Sequence, residues 1–439
     1  MPPTGNAIPI ATAAKTPHAF TRPVCSKRSD DSQNSAVRHH AVVKSRALAL
    51  STTLALVLLP SQLPAAALPL MRTEWNASSA ALGWVNSAYL LGYAAAVLVV
   101  LPLTDRVRLS RVIAIGALVT ALANLTFAFA AHDVTTASLL RMIAGFGLAG
   151  VYMPGVRLVA QTSDPARRGA AVGLYVAAFY LGGSLSFLAT GLLLEPFGWR
   201  GAAVALGAVA LAALPIAILS SRGIPQPSGE RAHLDLRVLR NAPLVRTIAA
   251  YVGHSWELFI VRAWLAAFLA AAFALRGLSP TDASATASQW AALVLALGVP
   301  GVFVGGWLSD RIGRTRAALL YAIGSGAISI GFGTLIFAPW PAIVVIGGIY
   351  GALVAADSAV YSTAVTELAP AARIGSAQAL QAVAGFGIGS LGPVVAGATL
   401  DLGAGWVGPF LVAGVIGIAT ALPLAVSFRE RPLIVRDPT

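Results

Sequence analysis

The sequence predicts an all-α membrane protein: twelve transmembrane helices in two pseudo-symmetric six-helix bundles. Three observations predict it. The 439 residues are 57% hydrophobic and only 11% charged, whereas a soluble domain averages about 25% charged. No soluble core hides that much apolar surface, so lipid must cover it. Twelve apolar runs of about 20 residues are each long enough to cross a bilayer core of about 30 Å as helix. Finally, one offset relates Asp105 to Asp310, Arg106 to Arg311, Arg111 to Arg316, Pro165 to Pro370 and Arg168 to Arg373. A chain built of two parallel copies of one bundle is the direct reading.

Residues 1–46 are polar, basic and poor in aromatics, which reads as a disordered cytoplasmic tail. The apolar run after them is far too long for the h-region of a secretory signal. The first bundle, 47–220, holds runs at 47–70, 80–103, 112–131, 135–160, 169–193 and 201–220. Pro60 and Pro64 bracket Ser61-Gln62 in the first run and are expected to kink it, freeing backbone groups. Residues 221–246, rich in Pro, Gly and charge, read as the cytoplasmic linker. The second bundle, 247–428, holds runs at 247–272, 287–308, 317–337, 341–366, 375–398 and 405–428, and 429–439 is a cytoplasmic tail.

With both termini inside, 24 of the 30 Lys and Arg fall on cytoplasmic segments and three, Arg72, Arg200 and Arg276, on outward loops. This is the positive-inside bias, and it explains the net charge of +13 without nucleic acid, since the basic residues punctuate apolar spans and form no stripe. Trp75, Trp199, Trp340 and Trp406 fall at outward ends, where interfacial anchors belong.

The repeated element lies between the second and third runs of each half. Gly306 to Arg316 reads G-W-L-S-D-R-I-G-R-T-R; Leu101 to Arg111 reads L-P-L-T-D-R-V-R-L-S-R. The second copy, with Gly306, Leu308, Asp310, Arg311, Gly313, Arg314 and Arg316, resembles the hallmark loop of the major facilitator superfamily of transporters. In the first copy Leu101 and Arg108 replace the two glycines. The resemblance covers about 380 residues, everything between the tails. It implies a secondary transporter working by alternating access, in which these loops latch the halves in one state and release in the other. Asp310, Arg311 and Arg314 would form the intact latch, and Asp105, Arg106 and Arg111 the weaker one. Asp164 and Glu367 are candidate partners. The bland alternative is solvated topogenic charge.

Arg141 opens R-M-I-A-G-F-G-L-A-G in the fourth span. Its R-x-x-x-G-x-G form resembles the superfamily's fourth-helix motif, whose arginine is linked to proton coupling or substrate contact; the alternative is a snorkelling interfacial residue. Gly145-Phe-Gly147-Leu-Ala-Gly150 matches G-x-G-x-x-G but has no preceding strand, so close helix packing is its meaning.

The seventh span places His254, Glu257 and Arg262 in one helix. His254 and Glu257 lie about 60° apart around it, while Arg262 is about 140° from Glu257. A carboxylate near the midplane beside an imidazole is a plausible proton site, with a structural pair as the alternative. Asp357 in the tenth span is a candidate partner for Arg262 or Arg157, or a part of the substrate pocket; Arg157, Tyr89 and Gln381 are candidate pocket residues. Asn86, Tyr93, Tyr175 and Gln378 are softer ones. The fifth span lacks the G-x-x-x-G-P-x-x-G-G pattern that the superfamily's antiporters often carry, which lowers the case for drug export.

One cysteine, Cys25, excludes a disulfide framework and a thiolate metal cluster. No nucleophile–base or metal-ligand set appears, so neither an enzyme nor a cofactor or metal is expected. The expectation is therefore a monomeric multi-pass protein of the inner membrane, moving a small anionic organic solute by proton-coupled uptake. Arg141, Arg157 and Arg262 outnumber the two acids within the spans, Glu257 and Asp357. The rival readings are a proton-driven exporter of drugs or metabolites and a non-transporting assembly factor or sensor.

Overall fold

The computed structural model describes residues 45–104, 106–164, 168–222 and 234–428. The chain crosses twelve times as helix. The first crossing is broken: Ser45–Leu58 is followed by a turn, then Leu63–Ala66 and Leu68–Trp75. Pro60 and Pro64 lie at the break, and a proline has no N–H for the helical ladder. Gln62 N donates instead to Ser186 Oγ at 2.9 Å. The second, third and fourth spans are Ser79–Leu103, Leu109–Ala130 and Val134–Thr162. Asp133 caps the fourth by accepting from Thr136 N at 2.8 Å. The fifth and sixth run through Arg168–Ser220, divided at Gly198, whose φ of 63° turns the chain.

The seventh span, Ala242–Ala274, starts five residues before the expected 247, because Asn241 caps it and Pro243 occupies its first turn. The expected linker thus gives way to ordered structure at its end. A 3₁₀ turn, Leu236–Arg240, precedes the cap. The Arg237 backbone N–H, with Arg373 at 2.7 Å, holds the Asp235 carboxyl below the usual carboxylate range. The eighth span is Pro280–Ala296 continued by Gly298–Ile312, and the ninth is Arg314–Phe332 with Gly333–Phe337. The tenth is Trp340–Leu368, the eleventh Ile374–Gly389 with Gly392–Asp401, and the twelfth Val407–Ala421 with Leu422–Phe428. Residues 1–44 of the tail expected at 1–46, the tail 429–439 and the linker stretch 223–233 lie outside the described residues; Ser45 and Arg46 already belong to the first helix.

Successive spans alternate in direction, so the chain has a signature end, where spans two and eight finish and three and nine begin, and a far end. At the far end the two bundles meet closely. Spans two and eleven approach so nearly that a Cβ on Gly83 would strike the Pro393 carbonyl. Asp401, the last residue of span eleven, caps span two of the other bundle: its two carboxylate oxygens accept from Ser79 N and Ala80 N, each at 2.8 Å. Ser184 of span five donates to the Ala292 carbonyl of span eight at 2.6 Å.

Of the four far-end tryptophans expected as anchors, Trp199 is buried, whereas Trp75, Trp340 and Trp406 are half-buried. Trp199 is 6% exposed, stacks edge-on against Trp75 at 5.9 Å and donates to Glu74 at 2.7 Å. Trp406 packs on Phe268 and Trp264, and Trp340 on Phe273 and Trp290. Trp199 thus sits inside an aromatic cluster with its indole N–H satisfied, while Trp75, Trp340 and Trp406 keep part of their surface exposed.

Candidate functional site

Between the bundles lies a cavity of about 630 Å³ of empty space, part of it open to solvent. Spans one, two and four supply Ser61, Gln62, Asn86, Tyr89, Tyr93 and Arg141; spans five, seven and eleven add Phe179, Phe259, Arg262 and Phe386. Of the residues expected to hold substrate, the structure thus brings Arg141, Arg262 and Tyr89 to one cavity. Arg157, Asp357 and Gln381 are not among its lining residues.

Arg141 is 2% exposed, which rules out a snorkelling role. Its position follows from three local causes. The proline break of span one presents the Ser61 carbonyl, which accepts from Arg141 Nη2 at 2.6 Å. Asn124 of span three accepts from Nη1 at 3.3 Å. The glycines of the motif then let neighbouring helices close in: a Cβ on Gly145 would strike the Tyr89 carbonyl of span two, so nothing larger fits. That approach lays the Tyr89 ring 4.1 Å from the Arg141 guanidinium. Arg141 Nε has no partner. Arg262 stands across the cavity on the other bundle. It contacts the rings of Phe179 and Tyr180 at 5.7 and 5.5 Å, and its Nε is also unpartnered. Among the described residues no carboxylate pairs with either guanidinium.

Arg157 donates to Thr104 at 3.1 Å, near the signature end of span four. Gln381 is buried with its Nε2 unpartnered.

His254 and Glu257 do not come together as their spacing suggests. His254 Nδ1 lies 2.7 Å from Asp357 Oδ1, and its Nε2 lies 2.8 Å from Ser358 Oγ. Asp357 is therefore the partner of His254 rather than of Arg262 or Arg157. Glu257 turns to the interior of the second bundle, where Oε2 accepts from Ser325 Oγ of span nine at 3.0 Å and faces Gly417 of span twelve. The difference of about 60° around the helix suffices to send the two side chains to different neighbours.

In the second signature loop Gly313 has a φ of 89°, which only glycine tolerates easily, and joins spans eight and nine. Arg314 pairs with Asp310 one turn before it and with Glu367 of span ten at 2.9 Å, and donates to Ser309 Oγ at 2.7 Å. Arg311 turns away and covers the Trp307 ring at 3.9 Å. A Cβ on Gly306 would meet open space. In the first loop Asp105 lies outside the described residues, and Arg106 is exposed.

Sequence reasoning missed Asn124, Ser358, Tyr180 and Asp401. Each acts through a partner on another span, so no local pattern marks it.

Comparison with known proteins agrees with this architecture. Over 400 residues the chain is 26% identical to the gallate transporter of Pseudomonas putida, covering 83% of this chain and 87% of that one. Over 280 residues it is 26% identical to a probable sulfoacetate transporter of Cupriavidus necator, covering 59% of this chain. That match spans 63% of the relative's length, less than two thirds of it. The solved nucleoside transporter NupG superposes with a TM-score of 0.71 at 14% identity, over 88% of this chain and 100% of that one, which shows a shared fold. The profile of the Major Facilitator Superfamily matches residues 50–281 and 277–438, so the chain belongs to that superfamily.

Proposed function

We propose that this protein takes up a small organic anion together with protons by alternating access. One observation carries the reading. Arg141 from the first bundle and Arg262 from the second line the same cavity, and neither has a carboxylate partner among the described residues. A guanidinium inside a membrane is expensive unless something answers its charge. A carboxylate or sulfonate answers it through short, charge-assisted bonds. Phe179, Phe259 and Phe386 give the same cavity apolar walls for the body of such a solute. The names of the relatives support this, since sulfoacetate and gallate both carry a carboxylate. The test is uptake into proteoliposomes of four anions, sulfoacetate, gallate, benzoate and glucuronate, under an acid-outside pH gradient. At least one should accumulate above equilibrium. Uptake of none, or accumulation indifferent to the gradient, contradicts the reading.

In this reading the protein is a monomer in a bacterial inner membrane, with both termini and the signature end in the cytoplasm. The charge bias supports that orientation, and the tightly packed far end then faces outward. In a Cys25→Ser background, a cysteine placed after Arg246 should react with a membrane-impermeant maleimide only after the cells are opened. Reaction in intact cells would invert the topology.

The second signature loop would act as the cytoplasmic latch through Arg314, Asp310 and Glu367. Asp310 is 66% exposed and Glu367 43%, so each pair contributes at most about 1 kcal/mol to stability. Asp310→Asn should therefore leave insertion and thermal stability nearly unchanged while slowing uptake severalfold, and Asp105→Asn should slow it less. A large loss of stability in Asp310→Asn would make the loop scaffold instead of latch.

A further inference from the structure

Four side chains form a chain of close polar contacts from the second bundle to the first: one ion-pair contact and two hydrogen bonds. Asp357 Oδ1 meets His254 Nδ1 at 2.7 Å, His254 Nε2 meets Ser358 Oγ at 2.8 Å, and the Tyr180 hydroxyl donates to the same serine oxygen at 2.8 Å. Asp357 and His254 are 2% and 4% exposed. Tyr180 belongs to span five, so its bond to Ser358 of span ten crosses between bundles. The Tyr180 ring in turn lies 5.5 Å from the guanidinium of Arg262, which lines the central cavity. A second pocket, with about 350 Å³ of empty space that is partly open to solvent, borders both Tyr180 and Arg262. An ionisable pair is thus joined, side chain by side chain, to the arginine assigned to the anion.

The pair has two relevant states. With imidazolium and carboxylate both ionised it is neutral overall; with one proton fewer it carries a net negative charge. In the less protonated state, His254 Nε2 accepts from the Ser358 hydroxyl, whose oxygen accepts from Tyr180. In the protonated state Nε2 must donate, and the Ser358 hydrogen must turn to another acceptor. The proton therefore removes a negative charge behind Arg262 and reverses one bond in the chain that spans the bundles.

The ionisable groups around the pair are known. Tyr251 and Tyr361 lie with their rings 5.7 and 5.8 Å from the imidazole. Tyr180 is reached through Ser358, Glu257 lies three residues from His254 on the same span, and Arg262 lies beyond the Tyr180 ring. Of this set, Glu257 and Arg262 are the carboxyl and guanidinium groups. Glu257 bonds to Ser325 and borders neither cavity.

We propose that the Asp357–His254 pair, and not Glu257, takes up the coupled proton, and that protonation there strengthens anion binding at Arg262. The inference rests on the proton-coupled reading above. Coupling of this kind is reciprocal: the proton favours the anion as much as the anion favours the proton.

The experiment uses the best transported of the four anions, in proteoliposomes, with two readouts: accumulation driven by a pH gradient, and counterflow at equal pH. Wild type should show both, with a KM that rises with pH. Asp357→Asn should keep counterflow, lose about tenfold or more of the gradient-driven accumulation, and show a KM insensitive to pH; the size follows from couplings of about 5- to 150-fold. His254→Gln should behave likewise, which keeps the test alive if the first variant folds poorly. Glu257→Gln should still accumulate. If wild type ignores the gradient, the proton-coupled reading falls and the inference with it. If wild type responds but Asp357→Asn accumulates normally, the inference alone falls. Loss of counterflow in a stable Asp357→Asn protein also overturns it, as does loss of accumulation in Glu257→Gln with Asp357→Asn unimpaired.

Discussion

Arg141→Ala is expected to abolish measurable anion uptake at normal expression. The guanidinium is buried, its fork is held by Ser61 and Asn124, and its Nε remains unpartnered at the cavity. In the proposed reading, removing it deletes the charge that answers the anion. A hydrogen bond to a charged group contributes about 1.5–3 kcal/mol, so the loss in affinity is about 10- to 100-fold from one such bond. The Ser61 carbonyl and Asn124 Oδ1 also lose a donor, which adds a packing cost around the proline break. Arg141→Lys separates charge from geometry. Lysine keeps the charge but cannot bridge the span-one carbonyl and Asn124 with a planar fork. Partial uptake in Lys with none in Ala means that charge dominates; none in either means that the fork does. Wild-type uptake in the Ala variant would remove Arg141 from the site.

Gly83→Leu is expected to have the next largest effect, on conformation. At the far end a Cβ on Gly83 would meet the Pro393 carbonyl and the Val394 backbone, neither of which can swing aside as a side-chain tip would. Overpacking a tight contact costs about 1–3 kcal/mol. Here the strain has an outlet, because spans two and eleven belong to different bundles and can separate. The substitution should therefore prop the far end open, break the Asp401 cap on Ser79 and Ala80, and stop alternation while leaving anion binding from that side intact. Maleimide labelling of a cysteine introduced at Asn86, which lines the cavity, should rise from the far side. Unchanged labelling with normal transport would show that the interface absorbs the leucine in place.

The sequence shows the crossings, the duplication and the signature loop because each is written in neighbouring residues. Apolar length, basic loop charge and the fixed spacing of Gly306, Asp310 and Gly313 need no knowledge of rotation. The helix faces are harder. In lipid a span is apolar nearly all round, so periodicity does not say which side meets protein. Glu257 and His254 could be placed on one helix, but not against Ser325 and Asp357, which lie 68 and 103 residues further along the chain. Asn124 is invisible for the same reason: a single polar residue in a span ordinarily bonds its own backbone, and Asn124 does donate to the Thr120 carbonyl at 2.8 Å while its oxygen holds Arg141. The Arg141 motif was legible as a pattern, and its glycines acquire their physical cause only when Tyr89 is seen against Gly145. The far-end clasp of Asp401 had no counterpart in the sequence reading, since a carboxylate at a helix end looks like any exposed loop charge.

The central claim is that the cavity recognises negative charge through Arg141 and Arg262 together. Titration calorimetry of the purified protein tests it most directly, with the best transported of the four carboxylic or sulfonic acids compared with its neutral amide. The account predicts that the anion binds, that the amide binds about tenfold or more weakly, and that the Arg141→Gln, Arg262→Gln double variant treats the two alike. Equal binding of anion and amide by the wild-type protein, or undiminished anion binding by the double variant, would contradict it.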